Sequence, residues 1–236
     1  MPDRDSVLVV AAHPDDEVLG CGGTIARLAV EGHEVRIAIL AEGMTSRYEQ
    51  REKADPKQLH DLHGNSQQAA DKLGARELVL GKLPDNRLDT VPLLEVVKLV
   101  EGLIEKFDPA VIYTHHPGDL NVDHGVVHRA VLTATRPMPG QRVREIYAFE
   151  VASSTEWAFQ RFEPSFRANV FVDISSTLEA KVAALACYET EVRKFPHPRS
   201  TEAVRAIAMR WGSVAGFPAA EAFELVRSLR PGQRRS

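Results

Sequence analysis

The sequence predicts an α/β protein: a Rossmann-like, doubly wound, mainly parallel sheet with helices on both faces, in a single domain. Three observations predict it. Short β-branched runs alternate with segments of helical periodicity along most of the chain. Their spacing suits right-handed βαβ units, which build parallel sheets. The 236 residues, 44% hydrophobic and 26% charged, suffice for one such domain with a sizeable core.

The first strand is read over residues 6–13, SVLVVAAH, from its β-branched content. TIARLAVEGH (24–33) carries apolar residues at helical spacing and stops at Gly32, and EVRIAILA (34–41) is the second strand. QQAADKLG (67–74) ends a helix at Gly74, and ARELVLG (75–81) is the third strand. VPLLEVVKLVEGLIEKF (91–107) is the clearest amphipathic helix, with Pro92 near its start and Pro109 just beyond its end. AVIYTHH (110–116) is a fourth strand and DHGVVHRAVLTATR (123–136) a helix. Strands follow at 144–151 and 169–174, then a helix over SSTLEAKVAALACYETEV (175–192) and a last helix over AAEAFELVRS (219–228). No repeat, linker or domain boundary is visible. The expected domain is 1–236, with a core of about 5–228 and a basic tail over 227–235 read as a solvated terminus.

A formal charge of −4 and a pI near 6.1 argue against a nucleic-acid partner. Cys21 and Cys187 have no paired spacing, which argues against a disulfide framework and a Cys-based zinc site. Met1 is followed by Pro, Asp, Arg and Asp rather than by a signal peptide, and no apolar run reaches the length of a membrane span. The expectation is a soluble, cytoplasmic protein with no membrane partner; a homo-oligomer is compatible with it.

In doubly wound sheets, ligands bind outside the carboxyl ends of the strands. The unusual residues fall there: 13–17 after the first strand, Glu42 after the second, Asp85 after the third, 115–124 after the fourth. HPDDE places His13 three residues from Asp16, with Pro14 stiffening the turn. Asp15, Asp16 and Glu17 repel one another, so either a cation sits among them or they face water. HHPGDLNVDHGVVH (115–128) adds His115, His116, Asp119, Asp123, His124 and His128 at the same edge, which favours a divalent metal. Two His and one carboxylate leave coordination positions open, the composition of catalytic zinc or non-haem iron(II). One carboxylate then holds the ion, and its neighbour Asp15 is available as general base. Glu17 reads either as a residue orienting a ligand or as a helix N-terminal acid.

Dinucleotide binding is the rival for this stretch, but Ile25 stands where G-x-G-x-x-G needs its third Gly, and three acids would face a pyrophosphate. The glycines instead suit close packing of the helix start beneath the loop. Residues 42–47, 85–87 and 188–200 are further polar candidates. The last, with Arg193, Lys194, His197 and Arg199, offers cover for the site but reads first as an ordinary surface connection; Trp157 and Trp211 are candidates to stack on a sugar face, with core packing the default.

AAHPDDEVLGCGG (11–23) closely resembles the signature of the PIG-L/LmbE-like family of zinc-dependent N-deacetylases, and residues 110–137 resemble its second block. LPDNRLD (83–89) and the strand order also fit, over about 5–228. The resemblance implies removal of acetyl from an N-acetylated amino sugar, a GlcNAc-type conjugate, or a related small acetamide. It implies one zinc per chain, with Fe2+ or another divalent ion admitted. His13 and Asp16 would bind zinc and Asp15 would be the general base; the third ligand is His124, with His128 one turn later as the alternative. Many members read H-P-D-H where this chain has residues 121–124, and the first His of that motif serves the oxyanion or the leaving amine. Asn121 can donate to an oxyanion but supplies no proton. The acid role then passes to His116 or His115, unless Asp15 shuttles the proton; for either His, a strand-end ring bonded to backbone is the plain alternative. Two other classes stay in view. One is a non-haem Fe(II) enzyme on the same ligands; the other is a non-catalytic metal- or sugar-binding module, which has no need of Asp15.

Overall fold

The computed structural model describes residues 5–48, 53–230 and 232. Seven strands form one sheet in the order β3-β2-β1-β4-β5-β7-β6. They are β1 (Ser6–Ala11), β2 (Glu34–Ala41), β3 (Glu77–Leu83), β4 (Val111–His115), β5 (Glu145–Phe149), β6 (Val170–Asp173) and β7 (Ala220–Ser228). β1 to β5 are parallel, and β7 runs antiparallel to both β5 and β6. Among the described residues, six α-helices accompany them: α1 (Asp16–Val30), α2 (Pro56–Lys72), α3 (Leu93–Phe107), α4 (Val122–Ala134), α5 (Leu178–Leu185) and α6 (Thr201–Ala215).

Both sheet faces are covered, so β1 is apolar from Val7 onward: Val7, Val9 and Ala11 face α1, α2 and α5, while Leu8, Val10 and the following Ala12 face α3 and α4. β1 pairs with β2 on one side and β4 on the other. The strand order therefore reverses between β1 and β4, where a doubly wound sheet opens a crevice at its carboxyl edge. The loops after β1 and β4 emerge into it.

Three expectations need correction. Residues 219–228 form β7 rather than a helix. Their Ala and Glu content favours a helix, but Phe223 is fully buried, lies opposite Phe149 and Val170, and packs edge-on against Tyr113 at 5.1 Å. Pairing on both strand edges overrides local propensity. Residues 201–215, given no element above, form α6, capped by Ser200 Oγ on the Ala203 amide and closed by Gly216 at φ 79°. Arg227 is no frayed tail residue: it belongs to β7 and donates to the carbonyls of Thr135 and Val143. Positions 231 and 233–235 of the expected tail lie outside the described residues.

α1 breaks at Cys21 (φ −145°, ψ 23°). Lys181 Nζ donates to the Leu19 carbonyl at 2.8 Å before the break, and Glu221 accepts from the amides of Gly23 (2.9 Å) and Thr24 (2.7 Å) beyond it. The two side chains are themselves paired at 2.6 Å and buried. The glycines serve this packing rather than the loop itself: a Cβ on Gly20 would enter the Phe149 ring, and one on Gly23 would strike Ile174.

Candidate metal centre and active site

Asp15, the residue before α1, has φ 94°, a left-handed conformation that costs a non-glycine residue energy. Glu17 holds that turn from beneath. Its Oε2 accepts the Asp15 amide at 3.1 Å and its Oε1 accepts the Tyr188 hydroxyl at 2.5 Å. Burial pushes Glu17 up to about 7, against the pull of Tyr188.

Asp16 Oδ2 is the focus of the site. It accepts the His13 amide at 2.8 Å and lies 3.2 Å from His13 Nδ1, 3.4 Å from His124 Nε2 and 3.5 Å from His115 Nε2. Burial alone would raise this carboxyl, but the charge and hydrogen bond of His124, with the hydrogen bond of His13, outweigh it and hold Asp16 well below the usual carboxylate range.

Each candidate His ligand is oriented by a carboxylate of its own. His13 Nε2 lies 2.9 Å from Asp123 Oδ2, and Asp123 Oδ1 accepts the Leu88 amide. His124 Nδ1 lies 2.7 Å from Asp119 Oδ2. In the neutral rings the proton sits toward Asp123 or Asp119, leaving His13 Nδ1 and His124 Nε2 as lone-pair donors facing Asp16. The candidate ligand atoms of His13, Asp16 and His124 lie within 4.8 Å of one another. This donor set fits a divalent ion with open positions. Burial opposes charge on His13, yet Asp123 and Asp16 hold its imidazolium up to about 10, so proton and metal compete for Nδ1.

His115, Asp119 and His124 also cluster, but the His115 ring is already committed. Its Nε2 accepts the Ala12 amide at 2.8 Å, so its proton sits on Nδ1 and neither nitrogen offers a lone pair to an ion. Burial, with His124, holds His115 well below the usual imidazole range. It stacks on His124 with centroids 3.9 Å apart, and its Nδ1 is buried with no hydrogen-bond partner among the described residues. His128 Nδ1 bonds to the His115 carbonyl at 2.8 Å and stands outside the His13–Asp16–His124 group.

The expected catalytic role of His116 meets a contrary geometry. Successive residues at a strand end face opposite ways. His116 therefore points away, with Nδ1 2.9 Å from Glu224 and Nε2 2.8 Å from the Pro164 carbonyl. It lines a separate apolar cavity of about 780 Å³ that also holds Phe166 and Trp211.

Asn121 does reach the cluster's side. It caps α4 through Oδ1 on the Asp123 amide (3.0 Å), while Nδ2 donates to Asn86 at 2.8 Å. With His124, Trp157 and Arg199 it lines a polar cavity of about 600 Å³. Asp85 anchors Ser46 beside this cavity and lies 3.6 Å from His13 Nε2. Glu42 is buried, and its carbonyl accepts from His63 at 3.2 Å. Trp157 is 40% exposed, a cavity wall rather than a core residue.

Sequence reasoning named Arg199 as a polar candidate but did not foresee its partner. Its Nη1 donates to Asp15 Oδ2 at 2.9 Å from 184 residues away, a pairing that no local spacing announces. Burial pushes Asp15 well above the usual carboxylate range, with Arg199 pulling the other way. Asp119 and Asp123 were visible as residues, but their orienting role exists only once α4 is folded.

The described residues include no helix long and apolar enough to cross a membrane. The chain is 28% identical over 192 residues to a probable N-acetyl-alpha-D-glucosaminyl L-malate deacetylase 2 of Bacillus cereus, covering 78% of this chain and 83% of that one. It is 28% identical over 270 residues to a 1D-myo-inositol 2-acetamido-2-deoxy-alpha-D-glucopyranoside deacetylase of Mycobacterium sp. (strain JLS), covering 97% and 85%. In fold it resembles GalB, the 4-carboxy-2-hydroxymuconate hydratase of Pseudomonas putida KT2440, with TM-score 0.73 at 21% identity over 98% of this chain and 100% of that one. The sequence model described as PIG-L, GlcNAc-PI de-N-acetylase, matches residues 8–135, more than half of the chain, and includes both loops of the site. The chain belongs to the PIG-L family.

Proposed function

We propose that this protein is a divalent-metal-dependent hydrolase that removes the acetyl group from an N-acetylated sugar conjugate of GlcNAc type. The observation that carries the reading is the convergence of His13 Nδ1 and His124 Nε2 on Asp16, with Asp15 beside them, in a PIG-L chain. Relatives named as deacetylases of GlcNAc conjugates support the substrate class.

His13, Asp16 and His124 would hold the ion, zinc by preference, since borderline imidazole and carboxylate donors suit it. When bound, such an ion supplies Lewis-acid polarisation of the acetamide carbonyl and lowers the pKa of its water. Asp15 takes the proton of the attacking water. Asn121 Nδ2 keeps one N–H for the developing oxyanion while the other serves Asn86. Because His116 is bonded at both nitrogens and His115 accepts the Ala12 amide on the nitrogen nearest Asp16, Asp15 returns its proton to the leaving amine. The nitrogen leaves as the amine and the acyl carbon as acetate. Free Cys21 and Cys187 accord with a cytoplasmic location.

The test is acetate release from a panel of N-acetylated amino sugars and their conjugates, with and without chelator. Chelator-sensitive acetate release with matching free amine supports the reading. The fold also serves a hydratase, which adds water without releasing acetate, so absence of acetate across the panel overturns it.

A further inference from the structure

We infer that Arg199 is the positioning residue of Asp15: it fixes the rotation of the general base's carboxylate and so its aim at the reacting water. This rests on the proposed deacetylase reading.

Three segments far apart in sequence meet at this guanidinium. Nη1 donates to Asp15 Oδ2 at 2.9 Å, and Nε donates to Ser153 Oγ at 2.8 Å, beyond the end of β5. Glu191 Oε2 flanks it at 3.8 Å. The backbone behind it is fixed as well, because the Arg199 amide donates to His197 Nδ1 at 3.1 Å and the next residue, Ser200, caps α6. The guanidinium is a planar fork, so anchoring Nε to one segment sets the direction in which Nη1 points.

Asp15 needs such a grip. Its backbone lies in the left-handed region and is tied by Glu17, but its side chain still turns about the Cβ–Cγ bond. Among the described residues, Arg199 is the cation paired with it. Occupying Oδ2 stops that rotation and leaves the second carboxylate oxygen for the proton being transferred. Arg199 is one-quarter exposed and lines the polar cavity with His124, so it stands where substrate enters. A base turned away by an ångström loses about a hundredfold in rate while substrate still binds. The expected signature is therefore a fall in kcat with KM unchanged.

The experiment compares Arg199→Met, Arg199→Lys and Arg199→Ala with the parent protein in acetate-release kinetics, with metal content and melting temperature measured on each. Arg199→Met should lower kcat by about a hundredfold at unchanged KM and metal content, in a protein that stays folded at the assay temperature although the buried Asp15 has lost its cation. Arg199→Lys should recover only part, because one ammonium cannot hold Ser153 and Asp15 as a fork does. Guanidinium ion at non-denaturing concentration should raise kcat of Arg199→Ala and leave the parent unaffected, a rescue that a merely structural role does not give. An unchanged kcat in Arg199→Met overturns the inference. A higher KM at constant kcat also overturns it and makes Arg199 a substrate-binding residue; loss of metal, or unfolding at the assay temperature, makes it structural. If the parent itself releases no acetate, the functional reading fails first, so the two failures are distinguishable.

Discussion

Replacing Lys181 by Met tests how the first turn of α1 is held in place. The helix break at Cys21 strands backbone groups that a continuous helix would satisfy. Lys181 takes the Leu19 carbonyl, Glu221 takes the amides of Gly23 and Thr24, and the two charges neutralise each other at 2.6 Å with side chains only 6% and 4% exposed. Lys181→Met keeps most of the aliphatic volume. It leaves Glu221 charged, buried and without its cation, and it frees the Leu19 carbonyl. Removing one partner of a buried pair costs about 3–5 kcal/mol. At about 2–4 °C per kcal/mol for a chain of this size, melting should fall by about 6–20 °C. Lys181→Met/Glu221→Gln should lose less than Lys181→Met alone, because Gln still accepts from an amide without burying an unpaired charge. The assay is thermal unfolding followed by far-UV circular dichroism at neutral pH. A shift in Lys181→Met smaller than about 2 °C, or a double variant less stable than Lys181→Met, would refute the staple.

Three further outcomes follow from the site. Asp15→Asn should retain fold and metal, because Asn still accepts from Arg199, yet lower kcat by about 10²-fold or more; normal turnover removes Asp15 from the chemistry. Asp119→Asn should weaken metal affinity by about 10–100-fold by loosening the hold on His124 Nδ1, which competition with a chromophoric chelator reads directly. Asn121→Asp should keep the α4 cap, since Asp caps as well as Asn, but lose the amide donor and with it about 10²–10³ in kcat. Asn121→Ala should show the same kinetic loss plus about 1 kcal/mol of stability, and equal kinetics in parent and both variants would remove Asn121 from the reaction.

The parts legible in the sequence were those governed by short-range pattern. β1 and β4 read as buried strands because both sheet faces are covered, and the His/Asp clusters stand at their ends, where the strand order reverses. β7 was not legible. AEAFELV carries helical propensity, and only β5 and β6, remote in sequence, supply the pairing that makes it a strand. The split between His115 and His116 depends on the parity of a strand end: one ring stacks on His124 and the other bonds to Glu224, which two adjacent letters do not reveal. The partner of Arg199 was hidden for a related reason. HPRS reads as a polar surface connection until the fold brings it over the β1–α1 loop.

The central claim is that His13, Asp16 and His124 form one metal site that activates the amide for hydrolysis. Titrating the metal-free protein with Zn2+ while recording acetate release from a responsive N-acetylated sugar conjugate tests it most directly. Activity should rise linearly to a break at one equivalent per chain. His124→Ala should neither bind that equivalent nor release acetate, whereas His128→Ala should retain both. Full activity in the metal-free protein, or a bound equivalent that survives His124→Ala and is lost in His128→Ala, would contradict it.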